Sequence, residues 1–255
     1  MQRFDWNTPE YADAFATLLS CCAERGHFHG FIRDIIAAYP EESRAMDWGA
    51  GGGDLTRLLL ERFSTVYAVE PHAGMRAALA AKYPEAEVVD GTIASTVPPA
   101  KVDVGLISHV YYHVPDHKWG AYTIHAARQL TTGGVLIVAL KDPDTGCNRM
   151  LEHFGAKAFD LYQALAPVIR LNPEFDFSFT RLPGPISTHS YEETLKIARF
   201  MMCDRDADSF CRAPTEEAFR AYVREHFWDE GKGVGGWRYN LTLCLVRRNP
   251  LYPEA

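Results

Sequence analysis

At 255 residues with 47% hydrophobic side chains, the chain is long enough to bury a sizeable core as one large α/β domain. Its 26 basic and 33 acidic residues leave a net charge of −7 with no Lys/Arg run, which excludes the basic footprint of a nucleic-acid binder. The opening residues Met1-Gln2-Arg3-Phe4-Asp5 lack a signal-peptide core and no apolar run approaches the roughly 18 residues of a membrane span, so a cytoplasmic protein without a membrane partner is expected. The six cysteines form no Cys-x-x-Cys pair, which predicts reduced thiols. The histidines, His27, His29, His109, His113 and His117 among them, show no His-Glu-x-x-His spacing, and no metal is expected.

In chain order, Phe15, Leu18, Leu19 and Cys22 predict an amphipathic helix, with Tyr11 and Glu24 as its notable polar residues. Phe28, Phe31, Ile32, Ile35 and Ile36 predict a second, ending near Pro40. A short strand then runs through Arg44-Ala45-Met46-Asp47-Trp48 into Gly49-Ala50-Gly51-Gly52-Gly53-Asp54, a turn opening a helix. Glycines here let the backbone turn sharply and let a ligand lie against bare peptide. The dinucleotide fingerprint Gly-x-Gly-x-x-Gly fails, since its sixth position falls on Asp54 or Thr56, which argues against an NAD-dependent oxidoreductase.

The Asp47-x-Gly49-x-Gly51-x-Gly53 pattern resembles motif I of the class I S-adenosylmethionine-dependent methyltransferases. That resemblance implies a Rossmann-like α/β fold. Its seven-stranded sheet has order 3-2-1-4-5-7-6, helices on both faces and a helical substrate cap. The cofactor implied is S-adenosylmethionine, with S-adenosylhomocysteine as product, and Asp47, Gly49, Ala50, Gly51 and Gly53 would hold its methionine end.

The next strand, Thr65 to Val69, ends in Glu70, placed 21 residues past Gly49 where a parallel neighbour would bring a carboxylate to the ribose hydroxyls. Glu70-Pro71-His72-Ala73-Gly74-Met75 resembles the family's Glu-Pro-x-x-x-Met step, adding Pro71 and Met75 to the cofactor side. A third strand at 86–89 precedes Asp90-Gly91-Thr92-Ile93, where Gly91, Thr92 and Ile93 would border the adenine. The fourth strand, Val102 to His109, is apolar enough to be buried on both faces. At its end Ser108 and His109 would line the methyl channel, and His109, Tyr112 and His113 are candidate catalytic residues because imidazole can act as a base near neutral pH. A helix over about 117–130, Thr131-Thr132-Gly133-Gly134 and a strand from Val135 to Leu140 follow.

Past Lys141 the sequence predicts an amphipathic stretch at 146–170, a strand at 175–180, a helix opened by the capping box Ser190-x-x-Glu193, a helix at 215–228 and a last strand at 237–246. The expected organisation is a single methyltransferase domain over 1–255. Within it, 1–40 is an N-terminal helical cap, 41–141 the cofactor core, 142–235 substrate-cap insertions and 236–248 the last strand. The helices before motif I, Tyr111-Tyr112 and the last strand Asn240-Leu241-Thr242-Leu243-Cys244-Leu245-Val246, similar to an Asn-x-Leu-x-Leu-x-Val pattern, also resemble the histamine N-methyltransferase type of small-amine enzyme. This implies Tyr11, Glu24, Tyr112, His113 and Asn240 on the substrate side. The expected function is methyl transfer to a nitrogen of a small molecule, such as those of secondary metabolism. The alternative is an O-methyltransferase with a hydroxyl or carboxylate acceptor and a histidine base.

Overall fold

The computed structural model describes residues 4, 8–205, 209–211 and 214–252. Its contacts divide the chain into two compact units, one of Met1–His27, Lys141–Asp160 and Arg181–Leu241, the other of Phe28–Leu140, Leu161–Thr180 and Thr242–Ala255.

The chain begins with helix α1 (Pro9–Cys21), capped by the Thr8 hydroxyl, and α2 (Glu24–Ile36). The break between them corrects the expected position of Glu24, which opens α2 rather than ending α1. Cys22 pairs with Ile186 as an isolated bridge and Ala23 donates to the Pro185 carbonyl, so these two residues leave the helical path. In α1, Ala14 and Leu18 are buried, whereas Phe15 is 45% exposed although it was expected on the apolar face.

The second unit is built on strands β1 (Arg44–Trp48), β2 (Thr65–Val69), β3 (Glu87–Val89), β4 (Val102–Ser108) and β5 (Leu130–Lys141). Between these run α3 (Asp54–Leu60), α4 (Ala73–Lys82) and α5 (Trp119–Ala127). The helix expected over 117–130 is shorter because two 3-10 turns, Tyr111–His113 and Asp116–Lys118, come before it. Thr131 to Gly134, placed ahead of a strand starting at Val135, lies within β5, where Gly133 takes φ +79° and the register against β4 shifts.

Beyond β5 come α6 (Gly146–His153), α7 (Leu161–Ile169), β6 (Phe175–Leu182), β7 (Ile186–Thr188), α8 (Tyr191–Met202) and α9 (Glu216–Phe227). They are followed by β8 (Trp228–Asp229), β9 (Val234–Trp237) and β10 (Leu241–Arg248). The last strand therefore starts at Leu241, not at Trp237. Trp237 ends β9, and Arg238 to Asn240 are the connection.

The large sheet has order β3-β2-β1-β4-β5-β10-β6, so its seventh strand, β10, lies between the fifth and sixth as expected. Strands β1 to β5 pair in parallel. Ala45, Met46, Trp48, Val66, Ala68, Val104, Leu106 and the run Val135–Leu140 are buried, as central parallel strands require. Trp48 pairs with Val69 and Ile107, which brings the ends of β1, β2 and β4 level. Ligands of open parallel sheets gather at this carboxyl edge.

In the first unit, α8 contacts α1, α6 and α9, and β7-β9-β8 make a small sheet. Ser190 accepts from Glu193 N at 3.2 Å, while the Glu193 carboxylate reaches back to His189 N at 2.9 Å, one residue earlier than an ideal capping box. The buried Lys141 ammonium donates to Asp204 and lies 4.9 Å from the Phe159 ring centroid.

Candidate functional site

The glycine turn leaves β1 by donating both Gly49 N (2.8 Å) and Ala50 N (2.9 Å) to the Val69 carbonyl, which docks it on the end of β2. Its three alternate glycines have positive φ, +80° at Gly49, +53° at Gly51 and +79° at Gly53. They are not equivalent. A Cβ on Gly49 would sit 2.4 Å from Val110 Cγ2, and one on Gly53 would sit 2.5 Å from both Leu79 and Tyr83. Those two positions are glycine because protein atoms fill the space. A Cβ on Gly51 would meet only Met75 Cε, at 3.6 Å, and one on Gly52 nothing within 4 Å. Bare peptide is therefore offered at Gly51 and Gly52.

Glu70 lies directly beyond β2 and is 6% exposed. One carboxylate oxygen accepts from Gly51 N and the other from His72 N, each at 2.9 Å. A carboxylate has about four lone-pair sites, so these two bonds orient the group and leave it acceptor capacity for ribose hydroxyls. Arg76, which motif reading missed, donates to the carbonyls of Glu70 (3.0 Å) and Pro71 (2.9 Å) and pairs with Asp90 at 3.1 Å. It thus ties the Glu70 loop to the residue before Gly91. No sequence motif announces it, since its partners are main-chain oxygens and an acid on another loop.

Asp47 turns inward. It is 2% exposed and accepts the Thr56 hydroxyl at 2.7 Å, joining β1 to the first turn of α3. Burial pushes its carboxyl up from 3.8 to about 6, with the Thr56 hydrogen bond opposing this and the Glu70 charge adding to it. A raised carboxyl favours the protonated fold, so its penalty is absent below about pH 4 and complete above about pH 6. Asp47→Asn should abolish that loss of stability. Melting temperatures of variant and parent should diverge, in the variant's favour, as pH rises from about 4 to about 6, and parallel curves would refute the burial argument.

The Asp90 to Thr96 loop is held locally. Thr92 N donates to Ser95 Oγ at 3.0 Å, and a Cβ on Gly91 would lie 2.1 Å from Thr96 Oγ1. Ile93 is buried and Thr92 exposed. Another unforeseen contact is His29 of α2, whose Nε2 lies 2.9 Å from Asp54 Oδ2 at the start of α3.

At the end of β4, Ser108 pairs with Ala139 and His109 N donates to the Ala139 carbonyl at 3.0 Å. His109 and Tyr112 are half-buried and joined, Nδ1 to hydroxyl, at 3.0 Å, whereas His113 is exposed. Pro71 and Met75 are also exposed. The second unit thus brings Asp47, Gly49, Ala50, Gly51, Gly53, Glu70, Ser108, His109 and Tyr112 to the ends of three adjacent strands.

Tyr11 and Asn240 belong to the first unit. Tyr11 lies 4.9 Å, ring to ring, from Phe200, and burial, helped by the Asp204 charge, pushes its phenol up to about 12. The Asn240 carbonyl accepts from Asp142 N at 2.8 Å. The side chain of Glu24 lies outside the described residues. Among the described residues no group of three or more His, Cys, Asp or Glu is placed to hold a metal, and no helix is long and apolar enough to cross a membrane.

A glycine turn after the first strand, an acid closing the second and this strand order define a class I methyltransferase fold. Residues 46–138 match the methyltransferase domain family, and the fold around them is that of the class I S-adenosylmethionine-dependent methyltransferases. Over 118 residues it is 33% identical to an uncharacterized methyltransferase of Geobacillus thermodenitrificans, covering 45% of this chain and 55% of that one. Over 114 residues it is 31% identical to the trans-aconitate 2-methyltransferase of Afipia carboxidovorans, covering 43% and 44%. The chain thus spans about half the length of the curated relatives it matches. The crystal structure of the YcgJ protein from Bacillus subtilis shares the fold with a TM-score of 0.62 at 16% identity, over 88% of this chain and 99% of that one.

Proposed function

We propose that the chain transfers the methyl group of S-adenosylmethionine to a nitrogen of a small metabolite, releasing S-adenosylhomocysteine. The observation that carries this reading is the Glu70 carboxylate, oriented by the Gly51 and His72 amides beside a stretch of peptide without Cβ atoms. Bound there, S-adenosylmethionine supplies an electrophilic sulfonium methyl. The chain's own part is to hold and orient. Gly51 and Ala50 would receive the methionine end, Glu70 the ribose hydroxyls, and Gly91, Thr92 and Ile93 the adenine. Pro71 and Met75 would flank the nucleoside, and Ser108 and His109 would border the reacting atoms. An acceptor nitrogen that is cationic in water must lose a proton before its lone pair can attack, and an imidazole at the end of β4 suits that task.

The second reading is an oxygen acceptor. It draws on the named relative that methylates trans-aconitate and on the same imidazole, which can equally deprotonate a hydroxyl. Incubation with methyl-labelled S-adenosylmethionine and a small-molecule extract, followed by alkaline treatment, distinguishes the two. Label in an alkali-stable basic product is expected for nitrogen, and label released by alkali indicates a carboxylate ester. If no label leaves the cofactor for any small molecule, both readings fall.

A further inference from the structure

We propose that Tyr112 is a positioning residue that fixes the tautomer of His109, so that His109 Nε2 receives the proton lost by the methyl acceptor. The inference rests on the methyl-transfer reading above. Its first support is backbone geometry. His109 has φ +58°, a left-handed conformation that a residue with a Cβ rarely adopts, and the other described residues with positive φ are glycines. The Ala139 bond keeps its amide on the sheet while the chain turns away.

The second support is where this strained residue sits. Its neighbour Val110 occupies the space that a Gly49 side chain would need, so the segment carrying His109 rests directly on the turn assigned to the cofactor. Neither segment can shift without disturbing the other.

The third support is how firmly Tyr112 is held. The adjacent Tyr111 is 1% exposed, its hydroxyl is 2.6 Å from Thr123 Oγ1 and 3.3 Å from the Trp119 carbonyl, and its ring stacks on Trp119 with centroids 5.3 Å apart. The Trp119 indole in turn donates to the Val114 carbonyl at 2.8 Å. Tyr112 thus projects from an anchored turn, and its hydroxyl meets His109 Nδ1 at 3.0 Å. His113, next in the turn, is exposed and is not needed for this pairing.

With Nδ1–H donating to the phenol oxygen, Nε2 is the basic nitrogen of the ring, and the same bond steadies the imidazolium that forms. In the transfer, the acceptor's lone pair makes the new bond to the methyl carbon while the carbon–sulfur bond breaks and its electrons remain on sulfur. The acceptor's proton passes to Nε2, which leaves a neutral thioether and a protonated His109.

The test is nitrogen NMR of the full chain with labelled histidine, saturated with S-adenosylhomocysteine and held at pH 8, with the His109 signals assigned by their loss in His109→Gln. The expected result is the Nδ1–H tautomer in the parent, moving toward Nε2–H in Tyr112→Phe. An Nε2–H tautomer in the parent, with the phenol as donor, would overturn the proposal, as would an unchanged tautomer in Tyr112→Phe. The parent spectrum alone decides the matter should Tyr112→Phe fail to fold. Failure of the parent to bind S-adenosylhomocysteine would overturn the methyl-transfer reading and this one with it, whereas binding with the wrong tautomer would overturn only this one.

Discussion

Asp204→Ala should destabilise the protein by about 3–5 kcal/mol, the range for removing one partner of a buried ion pair. The Lys141 side chain is 0% exposed and that of Asp204 12%, so the ammonium would lose its carboxylate counter-charge in a site closed to water. The Phe159 face, 4.9 Å away, is a weaker attraction than a carboxylate. A double replacement, Lys141→Met with Asp204→Leu, should recover most of the loss, because two apolar groups of similar size need no solvation. Urea unfolding of the parent and both variants measures this. A drop under 1 kcal/mol in Asp204→Ala would show that water reaches the ammonium.

Glu70→Ala should raise the dissociation constant for S-adenosylhomocysteine roughly 10- to 150-fold, or about 1.5–3 kcal/mol, as charge-assisted bonds to the ribose are lost. Part of the effect comes from within the protein. Gly51 N and His72 N both donate to this carboxylate, and without it the turn loses what fixes its open glycine. Glu70→Gln should fall between the two, since an amide presents one acceptor oxygen to those donors. Calorimetric titration gives the affinities, and a parent-like value in Glu70→Ala would remove Glu70 from the ribose role.

Much of the architecture could be read without coordinates because it is written locally. Thr65 to Val69 is a β-branched run and Val102 to Ser108 a near-continuous apolar one, and each became a strand within a residue of its expected bounds. Where local pattern misled, a distant segment intervened. The pairing of Cys22 and Ala23 with residues 185 and 186 ended α1 early and moved Glu24 onto α2. The last strand shortened because Arg238 to Asn240 connect two different sheets.

By itself the sequence determined the order of strand, glycine turn, helix and acid, and with it the class of fold. Periodicity, β-branching and the steric freedom of glycine act over a few residues and survive in any context. Tertiary structure alone decided which glycine is open, since Val110, Leu79 and Tyr83 fill the space beside Gly49 and Gly53. It also turned Asp47 into the core, gave Glu70 two amide partners, held His109 against Tyr112 and buried Lys141 beside Asp204. These arrangements depend on side chains that the chain path brings within hydrogen-bonding reach, in the last case across 63 residues of sequence. No short-range pattern records such meetings.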